Sequence, residues 1–336
     1  MPTFQRNSGR RNYAGYLTQK VCMDNPGQEP FKCVAIVGAG ALGCYFASRF
    51  VDAGIDTTLI EIDGKRLSVI ASEGLFIKDH RGLRATRVSI ATAGEMATPV
   101  DLIILTTKAM HTAGAIASVA HLISVRTAVM TLQNGLGNAE AIARLVASER
   151  VLIAVTDVAA DLENANTVHS GGKGSLWIGA LVSNPPLVER AGRLFRRAMF
   201  EVDLTDDVHV ILWEKLAFNA AFNTICAVTL MPAAIVSSAP GRRLAVAIAN
   251  EVADIAVACG VRVDKTRIVS KIDTALAVNP LHKPSMLQDR LACRRTEIEA
   301  ISGAVVSVAQ AHGLDAPLNS AMADLVRAIE AMSESS

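Results

Sequence analysis

A glycine-rich turn between a strand and a helix constrains this chain most. In FKCVAIVGAGALGCYFASRFVDAG, residues 31–54, Gly38, Gly40 and Gly43 follow an apolar run and open a helical pattern that ends at Gly54. In such a GxGxxG turn the first glycine permits the tight turn, the second lets backbone approach a pyrophosphate, and the third lets helix and strand pack closely. The motif predicts a dinucleotide-binding βαβ unit, with Ala41 and Leu42 in the predicted cofactor-binding set. A glycine-rich turn without a ligand is the alternative.

An acidic residue near the end of the next strand supports the ligand-binding interpretation. In TTLIEID, Glu61 is placed to accept hydrogen bonds from the adenosine ribose hydroxyls, whereas a 2′-phosphate would meet like charge there. The sequence therefore favours NAD over NADP, although either nicotinamide dinucleotide is compatible with the turn. Two alternatives stay open: Asp63 is the ribose ligand, or Lys65 and Arg66 bind a phosphate.

Buried-type strands alternate with helical stretches through the first half of the chain. DLIILTTK, TAVMTLQNG and VLIAVTDVAA continue the pattern, and LFIKDHRGLRATRVSI predicts a hairpin. Such alternation predicts a parallel sheet covered on both faces. We expect an α/β fold with an N-terminal Rossmann domain at residues 32–206 and an all-α domain at 207–332, with a cleft between them.

Composition excludes several classes of protein. The formal net charge of +1 gives no electrostatic reason to bind nucleic acid. The most apolar long window, residues 216–236, contains two asparagines, a threonine and a proline, so no membrane span is predicted. Six scattered cysteines without a metal spacing suit a reducing, cytoplasmic location, and no metal site is predicted. Residues 1–31 are interpreted as an extended or disordered tail, or as residues upstream of a start at Met23, rather than a targeting peptide.

Two polar residues follow central strands of the predicted sheet. Lys108 ends DLIILTTK, and Asn134 follows the next strand in LQNG. Ligands of open parallel sheets bind at this carboxyl edge, so both are predicted to bind cofactor. Alternatively, Lys108 caps its strand and Asn134 forms a turn with Gly135.

The helical half carries two polar clusters. In WEKLAFNAAFN, Lys215, Asn219 and Asn223 recur every four residues and form one stripe on a helix. The second cluster, SMLQDRLACRRTEIEAISG, contains Ser285, Asp289 and Glu297. The alternatives are structural: Lys215 pairs with Glu214 or extends to the surface, and Glu297 pairs with Arg294 or Arg295.

Taken together, GAGALG, TTKA, LQNG, WEKLAFNAAFN, SMLQD and TEIEAISG resemble the ketopantoate reductase (2-dehydropantoate 2-reductase) family over about residues 33–329. The resemblance implies a Rossmann domain, a helical domain, and reduction of a 2-keto acid in pantothenate synthesis. It implies that Lys215 is the general acid and that Lys108 and Asn134 help to hold the nucleotide. It also implies a substrate-binding set of Asn219, Asn223, Ser285 and Glu297.

Three departures from the family leave the substrate open. Glu61 and Asp63 stand where a basic residue suited to NADPH is usual, Ser302 replaces an asparagine, and no asparagine-glycine pair follows the lysine helix. We expect an NAD(P)-dependent oxidoreductase that acts on a small 2-keto or 2-hydroxy acid. One alternative is an NAD-dependent dehydrogenase that oxidises a different 2-hydroxy acid in catabolism. Less favoured are a non-catalytic dinucleotide sensor and a β-hydroxyacid or opine dehydrogenase. Pairing with a second copy is open, although no heptad is sustained.

Overall fold

The computed structural model describes residues 29–79, 82–172 and 174–334, so most of the predicted tail lies outside the described residues. The strands in these ranges are β1 (Cys33–Val37), β2 (Asp56–Ile60), β3 (Leu75–Asp79), β4 (Gly82–Thr86), β5 (Ser89–Ala91), β6 (Leu102–Leu105), β7 (Ala128–Thr131), β8 (Val151–Thr156), β9 (Ala160–Leu162), β10 (Thr167–Ser170), β11 (Ser175–Ala180) and β12 (Glu201–Leu204). The helices are α1 (Ala41–Asp52), α2 (Gly64–Glu73), α3 (Thr112–Ser118), α4 (Asn138–Ala143), α5 (Pro185–Arg197), α6 (Val208–Thr229), α7 (Ala239–Ala258), α8 (Lys265–Val278), α9 (Ser285–Leu291), α10 (Ala304–Ala311) and α11 (Pro317–Glu334).

An eight-stranded sheet organises the first half of the chain. Its strand order is β12-β11-β8-β7-β6-β1-β2-β5, and the run from β8 to β5 is parallel. This run has the strand order of a doubly wound dinucleotide-binding sheet. The order reverses between β1 and β6, so the carboxyl ends of these two strands border the crevice where ligands of such sheets bind. The predicted α/β fold class with an N-terminal Rossmann domain is confirmed.

The structure adds two features to the predicted parallel sheet. Strand β11 runs antiparallel to β8, and a second sheet of order β4-β3-β10-β9 lies beside the first. The predicted hairpin is present as β3 and β4. Strands β9 and β10 were not predicted because ADL and TVHS are too short to show a clear alternation.

Both faces of the main sheet are covered, which explains its near-continuous apolar strands. All four residues of β6, for example, are buried. An aromatic cluster of Phe46, Phe50 and Phe195 joins α1 to α5 on one face. Helices α3 and α4 pack on the other face, and their apolar side chains form a separate cluster with the strands.

From Val208 to the last described residue the elements are helical, and α6 lies at their centre. Helices α7, α8, α9 and α11 pack around α6, which also contacts strands β8 and β11. The predicted division between residues 206 and 207 stays a prediction. None of the described helices combines the length and the apolar character that crossing a membrane requires.

Candidate active site

The glycine-rich turn has space on one side and close packing on the other. A Cβ on Gly43 would overlap the carbonyl oxygen of Gly38, so this position requires glycine. A Cβ on Gly40 would meet no atom within 4 Å. Helix α1 begins with Ala41 and Leu42 and has no side-chain cap and no acidic residue in its first turn. Its amino-terminal N–H groups therefore fit the pyrophosphate of a dinucleotide.

Glu61 lies directly beside this turn. Its carboxylate accepts hydrogen bonds from the N–H groups of Ala39 at 2.9 Å, Ile62 at 2.7 Å and Asp63 at 3.0 Å. The bond to Ala39 joins the end of β2 to the segment between Gly38 and Gly40. The carboxylate is thus held at the glycine-rich turn, next to the end of the second strand.

The neighbours of Glu61 have structural partners. Asp63 caps α2 by accepting hydrogen bonds from the N–H groups of Lys65 and Arg66. This cap gives the Asp63 carboxylate a role other than ribose binding. The guanidinium of Arg66 donates from Nη1 to the Ala39 carbonyl at 2.7 Å, so it too lies against the turn.

Glu297 connects the helical half to the carboxyl edge of the sheet. Its Oε1 accepts a hydrogen bond from the N–H of Ala109 at 2.9 Å, and the side chain of Asn134 donates to the same carboxylate. Burial raises the pKa of Glu297, although the bond from Ala109 opposes that rise. Within the described residues Glu297 forms no ion pair with Arg294 or Arg295, and Arg294 pairs instead with Asp289 at 3.1 Å.

Lys108 makes a second connection across the cleft. Its Nζ lies 2.6 Å from Oδ2 of Asp289 and donates to the carbonyl of Arg295 at 2.9 Å. Lys108 and Asn134, both predicted to bind cofactor, thus contact the helical half here.

Gly135, beside Asn134, has φ +85°, and a Cβ there would overlap the carbonyl oxygen of Ala300. The LQNG turn therefore packs tightly against the π-helical segment Glu299–Gly303.

Lys215 extends from α6 toward the end of β8. Its ammonium donates to the carbonyl of Thr156 at 2.7 Å, and the side chain is partly buried. In the described part of the chain Lys215 does not pair with Glu214, whose fully buried carboxylate lies 2.6 Å from Nη2 of Arg267. Lys215 thus faces the carboxyl edge of the sheet.

The surroundings of Lys215 bring its titration toward neutral pH. Burial lowers the pKa of Lys215 to about 8, while the charges of Asp157 and Glu297 act to raise it and the ammonium of Lys271 lowers it further. Near neutral pH the side chain is therefore able both to donate and to accept a proton. Because the charge of Glu297 acts on Lys215, the two predicted site residues lie near each other.

The other predicted substrate-binding residues lie on α6 and α9. Asn219 is partly exposed and Asn223 is buried, one and two turns beyond Lys215. Ser285 is the first residue of α9 and is exposed. Among the described residues, none of these three side chains has a hydrogen-bond partner, so their polar atoms are available to a ligand.

Sequence reasoning missed three contributors to this cleft: the Thr156 carbonyl, Asp157 and Lys271. The first two follow the apolar run of β8, a position that places them at the same sheet edge as Lys108 and Asn134. Lys271 had no sequence signal, because only the packing of α8 brings it near Lys215. Across the described ranges no group of three or more His, Cys, Asp or Glu side chains is arranged to hold a metal ion.

Residues 34–183 match the family model of ketopantoate reductase PanE/ApbA, and residues 207–330 match the model of its C-terminal part. The chain is 32% identical to 2-dehydropantoate 2-reductase of Pyrococcus horikoshii, covering 89% of this chain and 98% of that relative. It is 30% identical to the same enzyme of Halobacterium salinarum, with 88% and 97% covered.

The fold of this chain is also similar to solved structures of known enzymes. D-mandelate dehydrogenase with NADH and anilino(oxo)acetate is similar with a TM-score of 0.86 and 26% identity, over 90% of this chain and 99% of that one. 2-Dehydropantoate 2-reductase of Geobacter metallireducens has a TM-score of 0.81 and 29% identity, over 88% and 98%. The chain belongs to the ketopantoate reductase family of nicotinamide-dependent oxidoreductases.

Proposed function

We propose that this protein interconverts a 2-keto acid and a 2-hydroxy acid, with 2-dehydropantoate as its first-choice substrate. One observation carries the proposal: the partly buried ammonium of Lys215 lies at the carboxyl edge of the sheet, near enough to the carboxylate of Glu297 for the two charges to interact. The named relatives, which are 2-dehydropantoate 2-reductases, support the choice of substrate.

Lys215 is the proposed general acid of the reduction. When bound, the nicotinamide dinucleotide supplies the hydride that adds to C2 of the keto acid. Negative charge then develops on the C2 oxygen, where the Lys215 ammonium stabilises it and donates the proton that completes the hydroxyl. In the oxidative direction, neutral Lys215 accepts that proton. Its pKa of about 8 suits both roles.

The remaining polar side chains are proposed to hold the substrate. The carboxamides of Asn219 and Asn223 offer donors and acceptors without competing for the proton of Lys215. The Glu297 carboxylate accepts a hydrogen bond from a substrate hydroxyl, and Ser285 contacts the substrate from the amino-terminal end of α9. Such fixed polar groups orient C2 and lower the entropic cost of reaching the transition state.

The cofactor is proposed to be NAD. Glu61 is the basis for this choice, because its carboxylate lies at the glycine-rich turn where a 2′-phosphate would meet like charge. Lys108 and Asn134 are proposed to hold the cofactor from the neighbouring strands. Residues 32–206 then form the dinucleotide-binding domain and residues 207–332 the substrate domain.

A kinetic screen tests the proposal. The protein is assayed with NADH and NADPH against 2-dehydropantoate and a panel of other 2-keto acids, and with the oxidised cofactors against the matching 2-hydroxy acids. We expect turnover of 2-dehydropantoate and a lower Kd for NADH than for NADPH. Glu61→Ala should weaken NADH binding more than NADPH binding. If the wild-type protein prefers NADPH, the assignment of Glu61 as the group that selects NAD is refuted.

A second candidate function is the NAD-linked oxidation of a different 2-hydroxy acid. Two observations favour it: the acidic residue at the ribose position, and the similarity to a D-mandelate dehydrogenase that binds NADH. In this case a 2-hydroxy acid other than pantoate gives the highest kcat/KM of the panel with NAD. A higher kcat/KM for 2-dehydropantoate with a reduced cofactor would exclude it.

A further inference from the structure

Lys271 lies beside the proposed catalytic centre without a role in the mechanism above. Its ammonium lies 5.5 Å from the centre of the Trp177 ring on β11, an arrangement that stabilises a cation over an aromatic face. Trp177 pairs in register with Val155, the residue before Thr156. Because the Thr156 carbonyl holds Lys215, the ring, Lys271 and Lys215 occupy one corner of the cleft.

The position of Lys271 is fixed by the packing of α8 on α6. Arg267, one turn before Lys271, donates from Nη2 and Nε to Oε1 of the buried Glu214 at 2.6 Å and 3.0 Å. The same oxygen accepts the N–H of Asp264, which caps α8. These bonds set the register of α8 and bring Lys271, on the same helix face as Arg267, toward the sheet.

Three cations around the cleft are paired with carboxylates. Lys108 and Arg294 both pair with Asp289, and Arg267 pairs with Glu214. Lys271 has no ion pair within the described residues, and the cleft also contains the carboxylates of Asp157 and Glu297.

A 2-keto acid enters such a cleft as an anion. Binding the substrate carboxylate next to these two carboxylates is unfavourable unless a positive charge compensates the repulsion.

We propose that Lys271, held over Trp177, binds the carboxylate of the 2-keto or 2-hydroxy acid and makes the site selective for acids over neutral analogues. The assignment rests on the proposed function and adds to it the counter-charge of the substrate. Lys215 then acts at the C2 oxygen while Lys271 holds the neighbouring carboxylate.

Steady-state kinetics at pH 7 test the assignment with 2-dehydropantoate and with its neutral amide. Lys271→Met should raise KM for the acid about 10-fold to 100-fold, the usual effect of losing a charge-assisted hydrogen bond, and leave KM for the amide unchanged. Lys271→Arg should recover most of the affinity for the acid. Lys265→Met is the matched control, because Lys265 lies on the same helix in an exposed pair with Asp254.

Binding gives a readout that is independent of turnover. Titration of the wild-type protein with pantoate should change the fluorescence of Trp177, a change that Trp177→Phe removes and that Lys271→Met moves to higher pantoate concentration. Equal rises of KM for acid and amide in Lys271→Met, or no rise for either, would overturn the assignment alone. No turnover of any 2-keto acid by the unmodified protein would overturn the proposed function and this assignment together.

Discussion

The lowered pKa of Lys215 predicts a specific pH dependence of reduction. Proton donation requires the ammonium form, and burial lowers the pKa of this group to about 8. About 90% of the protein then carries the charged lysine at pH 7 and about 10% at pH 9. We therefore expect kcat/KM for the keto acid to fall about tenfold between these values. A lysine with an ordinary pKa would lose less than about 5% of its charge over the same range.

Two substitutions should shift the pH at which kcat/KM falls, in opposite directions. Asp157→Asn removes a negative charge that raises the pKa of Lys215, so the decline begins at lower pH. Lys271→Met removes a like charge that lowers the pKa, so the decline begins at higher pH. Initial rates of reduced-cofactor consumption from pH 6 to pH 10 measure all three profiles. A wild-type profile that stays flat to pH 9.5, or variants that shift in the same direction, would refute the reasoning.

Further substitutions test other parts of the site. Lys215→Ala should lower kcat about 10²–10⁴-fold while cofactor binding, measured by fluorescence titration, is retained. Lys215→Met should raise the free energy of unfolding at pH 7 by about 1–3 kcal/mol, because the folded protein no longer holds a partly buried ammonium. That gain should shrink above pH 8 and vanish above the ordinary lysine pKa, as urea unfolding at several pH values will show. Because burial raises the pKa of Glu297, kcat/KM should begin to fall on the acid side at a pH above 4.5. Glu297→Gln should abolish this fall. Gly43→Ala should lower Tm without cofactor, whereas Gly40→Ala should keep Tm and weaken only cofactor binding.

Local patterns in the sequence predicted much of the fold. The turn from Gly38 to Gly43 has a fixed spacing with a mechanical reason, and the apolar strands around it are long enough to distinguish from loops. The stripe on α6 followed from helical periodicity alone. Strands β9 and β10 were missed because β9 pairs with β10 and β10 joins its sheet by pairing with β3, a long-range contact that strands of three or four residues do not encode locally.

The candidate site could be proposed from the sequence where a residue type follows a strand or repeats along a helix. Lys108, Asn134 and Lys215 were predicted in this way, and the resemblance to a family gave Glu297 its predicted role. Contacts between the two halves were not predictable: the bond from Ala109 to Glu297 joins residues 188 positions apart. Lys271 was missed for the same reason, since the Glu214–Arg267 pair that places α8 depends on tertiary packing.

A deuterium-transfer experiment tests the central claim most directly. The wild-type protein and Lys215→Met are each incubated with NADH that carries deuterium at both C4 positions and with 2-dehydropantoate, and mass spectrometry follows deuterium at C2 of the hydroxy acid. We predict that the wild-type protein delivers deuterium to C2 and that Lys215→Met does so about 10²–10⁴-fold more slowly. Equal rates for the two proteins would contradict the role of Lys215 as general acid. With the wild-type protein, no deuterium at C2 of any 2-keto acid tested would contradict the proposed reduction itself.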